Sequence, residues 1–154
     1  MICSDVSLLQ ILFACLFFLC ETANWSLERR EYMNIYKFWK DVLEQNADAI
    51  RDYFDKNAYI NWHCTNEHFN VDEFIIANCE YPGRWDGEVE RVEIINDIFI
   101  TVTHVYSMNR TLSFHVTSFI KVVDDKIVGI DEYWADDDAP PEWRSDKHIG
   151  KAIK

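Results

Sequence analysis

The last half of the chain alternates apolar and polar residues with period two, and three polar pairs interrupt it: Asn96-Asp97, Asn109-Arg110 and Asp124-Asp125. Such alternation predicts half-buried strands, and Asn/Asp pairs between them predict hairpin turns. The pattern therefore reads as a four-stranded antiparallel meander over residues 86–95, 98–108, 111–123 and 126–135. If each turn is a two-residue loop, Met108 faces Thr111 and Val123 faces Lys126. His104 then lies opposite His115, and His115 opposite Trp134. Glu132 falls two residues along on the same face, because side chains alternate along a strand.

Before the meander the period changes to that of a helix. Tyr32, Ile35, Tyr36, Trp39, Val42 and Leu43 form one apolar stripe, which predicts a helix over 31–45. Asn46 suits the N-cap of a second helix with Ala49, Ile50, Tyr53 and Phe54 on one side. A short strand follows over 58–64. Asn70 and Glu73 have the spacing of a capping box for a third helix, which Tyr81-Pro82-Gly83 ends. Helices first and a long antiparallel sheet afterwards make an α+β order. Long strands coil, so three helices packed on a curved meander should enclose a cone-shaped cavity.

Composition narrows the function classes. The 154 residues carry a formal charge of −12, with no stripe of Lys or Arg, so nucleic acid is not an expected partner. Aromatics at 15% provide enough bulk for a core and an apolar cavity. Asp136-Asp137-Asp138 reads as a solvated run. Of the five cysteines only Cys64 and Cys79 fall in the domain, where both read as packing residues; no disulfide framework follows. Residues 1–30 form an apolar N-terminal extension, signal-like, an anchor or the product of a misplaced start; 31–144 form the domain and 145–154 a charged tail. The run 6–20 is shorter than the roughly 20 residues of a membrane span, and Arg29-Arg30 follow rather than precede it. The expected location is the cytoplasm, with secretion or membrane contact open only through that segment.

The element order resembles the nuclear transport factor 2-like superfamily, in its SnoaL-like branch, over residues 31–144. The resemblance is carried by Asn61-Trp62-His63-Cys64-Thr65-Asn66-Glu67, Asn78-Cys79-Glu80-Tyr81-Pro82-Gly83, Phe114-His115-Val116-Thr117-Ser118-Phe119, Asp131-Glu132-Tyr133-Trp134 and Pro141-Glu142-Trp143-Arg144. The superfamily includes ketosteroid isomerase, scytalone dehydratase, limonene epoxide hydrolase and polyketide cyclases, alongside members that only bind or dimerise. It implies a cone-shaped fold, a homodimer paired through its sheets, and acid-base chemistry on a small apolar molecule without a cofactor. The residues implied are His63 on the first strand, His104 and His115 on the middle strands, and Asp131 or Glu132 on the last. No match exists for the tyrosine and paired aspartates of ketosteroid isomerase.

Chemistry points the same way. Histidine exchanges protons near neutrality, and a carboxylate in an apolar cavity can be tuned into the same range. His63, His104, His115 and Glu132 are the candidate catalytic residues, with Trp62, Trp85, Val102, Asp131, Tyr133 and Trp134 as candidate ligand-binding residues. We assign the histidine face to the cavity because it joins Ile100, Val102, Phe119, Val128 and Ile130 to the polar cluster. The alternative face carries Thr101, Thr103, Phe114, Val116, Asp131 and Tyr133. His104 and His115 with Glu132 resemble a two-His-one-carboxylate set, but cross-strand histidines are commonly plain polar neighbours, and no metal is assigned. The function expected is a small-molecule-binding domain doing isomerase, dehydratase, cyclase or hydrolase chemistry; the alternative is a non-catalytic ligand-binding or dimerisation module.

Overall fold

The computed structural model describes residues 33–153. The apolar segment 6–20 and the whole of the proposed extension lie outside the described residues. Helix α1 (Ile35–Leu43) begins at Asn34, whose side chain accepts from the Lys37 backbone N–H at 3.0 Å. It buries Ile35, Phe38, Trp39 and Val42. The stripe is thus rotated from the one expected: Phe38 is inside, and Tyr36 is 62% exposed. Gln45 takes a left-handed φ of 56° and turns the chain into α2 (Ala47–Tyr53), capped by Asn46 as its sequence suggests.

Helix α2 ends earlier than its apolar residues imply. Phe54 opens strand β1 (Phe54–Trp62), which starts four residues before the predicted strand. Strand β2 (Glu67–Phe69), which the sequence pattern does not predict, pairs antiparallel with β1. Helix α3 (Val71–Cys79) has the full capping box between Asn70 and Glu73. The meander is β3 (Trp85–Ile95), β4 (Ile98–Ser107), β5 (Ser113–Val123) and β6 (Lys126–Asp136), followed by a one-turn helix α4 (Glu142–Ser145).

The six strands run in the order β2-β1-β6-β5-β4-β3, with β1 parallel to β6 and the other pairs antiparallel. Two single-residue bulges shape the meander, and the β1–β6 pairing shifts register between Phe54 and Tyr59. Val128 is unpaired between Ile127, opposite Val122, and Gly129, opposite Lys121. Glu90 is unpaired between Val89 and Arg91. Each extra residue bends its strand and increases the twist, which curls the sheet around the helices.

Strand β4 tells the two faces apart. Phe99, Thr101, Thr103, Val105 and Ser107 are buried, while Ile100, Val102, His104 and Tyr106 between them are only half-buried. The inner face meets the helices: Trp39 Nε1 donates to Thr101 Oγ1 at 3.2 Å, joining α1 to β4. A chain of edge-to-face rings, Trp39, Phe38, Phe54, Phe74 and Trp62, fills the wide part of the wedge.

Candidate functional site

At the open end of the wedge the helices and sheet diverge around a cavity of about 370 Å³. Trp39, Trp62, Trp85 and Trp134 line it, with Leu43, Val105 and Phe114 between them, and Gln45, Thr65, Asn78 and Asp136 on its rim. The rim is braced by Gln45, whose amide donates to Asn78 O at 2.9 Å and Tyr81 O at 2.8 Å. Trp85 Nε1 and Thr103 Oγ1 are buried without a hydrogen-bond partner among the described residues. Cys64, expected as packing, is exposed and borders the cavity.

Behind the tryptophans lies a carboxyl group. Glu132 is 2% exposed; its Oε1 accepts from Ser118 Oγ at 2.8 Å and its Oε2 from Trp134 Nε1 at 3.0 Å. Trp62 Nε1 stands toward the same carboxyl but falls short of hydrogen-bond geometry. Burial raises the pKa of Glu132 above the ordinary value, and the donors from Ser118 and Trp134 recover only part of that cost.

The histidines are on the other side of the sheet. His104 and His115 do face each other across β4 and β5, with their rings stacked at 4.6 Å and 2°. His115, however, lies opposite Ala135, and Trp134 lies opposite Val116. The expected pairing of His115 with Trp134 fails because the Val128 bulge shifts the β5–β6 register by one residue. One residue of shift exchanges the faces of the last strand, so Glu132 and Trp134 turn inward while Asp131 and Tyr133 turn outward with the histidines. Assigning the histidine face to the cavity is therefore incorrect, and Val102, Asp131 and Tyr133 do not border the cavity.

Two polar clusters occupy that outer face. In the first, Asp131 Oδ1 accepts from His63 Nε2 at 2.7 Å and from Asn61 Nδ2 at 2.8 Å, and His63 stacks on Tyr133. Burial pushes the Asp131 pKa up, but these hydrogen bonds outweigh it and hold the carboxyl below its usual range. In the second, Asp137 Oδ1 meets His115 Nδ1 at 2.5 Å, Ser113 donates to Asp137 Oδ2, and His104 Nε2 bonds Ser113 Oγ at 2.8 Å. Asp137 was expected within a solvated run. Its acidity responds to the same opposition, burial raising its pKa and the Ser113 and His115 contacts lowering it further.

No protein-family model matches the chain, and no curated protein does. Solved structures do. The chain is similar to a protein named for ketosteroid isomerase from Kribbella flavida, at 17% identity and a TM-score of 0.65, covering 77% of this chain and 86% of that one. A nuclear transport factor 2-like protein from Burkholderia xenovorans matches at 20% identity and a TM-score of 0.61, over 75% and 89% of the two chains. The fold is the nuclear transport factor 2-like fold. A protein named for a SnoaL-like polyketide cyclase from Shewanella denitrificans shares it at 8% identity and a TM-score of 0.52, over 64% and 85%. At such identities the likeness is one of fold, and it is the arrangement inside the nuclear transport factor 2-like cone that must carry function.

Within this nuclear transport factor 2-like cone, Trp62, Trp85 and Trp134 border the cavity and Glu132 backs onto it, whereas His63, His104 and His115 do not reach it. Leu43, Gln45 and Tyr81 were missed as cavity residues. Gln45 carried no signal beyond its place between two helices, since its role follows from a left-handed backbone and two distant carbonyls.

Proposed function

We propose that the domain binds a small apolar molecule bearing one hydrogen-bond acceptor in the tryptophan-lined cavity. The observation that carries this reading is the apolar, aromatic lining of the cavity together with Trp85 Nε1, a donor buried beside it that no described protein atom satisfies and that a ligand reaches once the indole turns toward the cavity. A buried N–H without a partner costs about 1–3 kcal/mol, so a ligand oxygen that accepts from it gains roughly tenfold or more in affinity. A cavity of about 370 Å³ is at the small end of ligand sites and favours a compact ligand. The test is tryptophan-fluorescence titration with cyclic ketones and the hydrocarbons of matching size. The ketones should bind more tightly, and Trp85→Phe should remove that preference while leaving hydrocarbon binding. Equal affinity of ketone and hydrocarbon for the unmodified protein would defeat the reading.

Glu132 supports a second, catalytic reading. A carboxyl kept neutral by burial can donate a proton that an ordinary glutamate has already lost. In this chain its oxygens are occupied by Ser118 and Trp134, so Glu132 would act on a ligand only after Trp134 or Trp62 moves aside. The histidines, on the outer face, do not assist it. Turnover of a bound ketone that vanishes in Glu132→Gln, with binding retained, separates this reading from simple binding.

The outer face fits the pairing of two copies. Tyr59, Phe119 and Tyr133 are exposed there beside Ile100 and Val102, a mixture suited to an isologous interface. Light scattering on Phe119→Glu tests this: dimer mass in the parent and monomer mass in the variant.

A further inference from the structure

We propose that Glu90, His104 and His115 form a binding site for a divalent transition metal on the outer face of the sheet, independent of the cavity. The three residues come from β3, β4 and β5, and one donor atom of each lies within 4.8 Å of the others. Glu88 is the residue opposite His104, and Glu90, two residues further along β3, shares its face and reaches across β4 to His115.

The spacing has the right scale. Glu90 Oε2 stands 3.4 Å from His115 Nε2. Two ligands about 2.0–2.1 Å from a tetrahedral zinc are separated by roughly 3.3 Å, so an ion can sit between this pair with almost no rearrangement. His115 is also oriented as a metal ligand. Asp137 holds its Nδ1 at 2.5 Å, which leaves Nε2 directed toward Glu90. A carboxylate on the far nitrogen is the usual support of a metal-bound histidine, since it fixes the ring and raises its basicity. His104 lies parallel to His115 at 4.6 Å with its Nε2 tied through Ser113 to the same Asp137, so Nδ1 is the nitrogen left for an ion, and on metal binding the His104 ring tilts out of the stack to direct that in-plane lone pair at the shared metal.

Donor chemistry selects the ion. Two imidazoles and one carboxylate suit zinc, cobalt, nickel or copper, whereas magnesium and calcium take oxygen ligands. Side chains of His104, His115 and Glu90 remain 26%, 38% and 27% exposed, so an ion has an entry path and water can complete the coordination.

The test uses the full chain without a histidine tag, titrated with cobalt(II) chloride under visible absorption and with zinc chloride by calorimetry. One ion per chain is expected, with a tetrahedral cobalt spectrum that excess magnesium does not bleach. Glu90→Gln and His115→Ala should each weaken binding at least tenfold, Asp137→Asn by about 10–100-fold, and His63→Ala not at all. Glu90→Gln is the safeguard against misfolding, because it changes a partly exposed side chain without altering its shape. No saturable binding, unchanged affinity in Glu90→Gln and His115→Ala, an equal loss in His63→Ala, or one ion per two chains would overturn the proposal.

Discussion

Ser118 donates to Glu132 directly across the β5–β6 pair, at 2.8 Å, and this contact exists because Val128 is left out of the ladder. Without the bulge Thr117 would stand opposite Glu132 and both would face outward. Deleting Val128 should therefore force Glu132 and Trp134 out of the interior and abolish the cooperative thermal transition. Val128→Ala, which keeps the extra residue, should cost no more than about 1 kcal/mol. A deletion variant that melts as sharply and as hot as the parent would count against the bulge.

Burial of Glu132 has a pH signature. Its folded-state pKa is raised above the unfolded value, so the native state holds the proton longer than the unfolded chain does. The stability it contributes is complete below the unfolded pKa, roughly 4.3, and is lost as pH rises through the folded value. Glu132→Gln mimics the neutral acid, with its amide oxygen placed to accept from Trp134 and its nitrogen to donate to Ser118. The variant should match the parent in urea at about pH 4 and exceed it increasingly toward pH 8, by about 1.4 kcal/mol for each pH unit that separates the folded pKa from the unfolded one. Parallel pH profiles would exclude a neutral Glu132.

Asp41 has the opposite sign. It is buried on α1 and accepts from Tyr53 OH at 2.7 Å and Lys37 Nζ at 2.6 Å. Burial raises its pKa, yet these two donors together bring it below the usual value. Its contribution is present above the unfolded pKa and is lost as pH falls through the folded one. Asp41→Ala, which strands the Tyr53 hydroxyl, should cost about 1–3 kcal/mol at neutral pH, and the difference from the parent should shrink in acid. Chemical denaturation at two pH values measures both.

Gly87 and Gly129 make a graded pair. A Cβ at Gly87 would stand 2.4 Å from the carbonyl oxygen of His104, which belongs to the partner strand and cannot retreat without breaking register. At Gly129 the Cβ would meet the Tyr59 ring at 2.6 Å, a side chain on the sheet surface that can rotate away. Gly87→Ala should lower the melting temperature more than Gly129→Ala, with about 1–3 kcal/mol lost at Gly87. The reverse order would contradict the arrangement.

Much of the candidate site was close to legible. Trp62, Trp85 and Trp134 sit at strand ends where large side chains fill a cone, and Glu132 stands two residues from Trp134 on the same face. The pairing of His104 with His115 followed from the register alone, and it held although the loop between β4 and β5 spans 108–112 rather than two residues. Glu90 and Asp137 escaped notice because each looks like one more acidic residue in a chain of net charge −12.

What the residues determined by themselves is local: the caps at Asn46 and Asn70, the two-residue turn at Asp124-Asp125 with both φ angles positive, and the strict alternation of β4. Each depends on a few neighbouring atoms, so a short stretch of chain suffices to specify it. Which face of the sheet meets the helices, and whether Glu132 shares it with His115, was decided only in the folded chain. Alternation has no sign until a helix covers one side. A bulge such as Val128 adds one residue without a marked change in pattern, and its register follows from the curvature needed to close the sheet over Trp39 and Phe38.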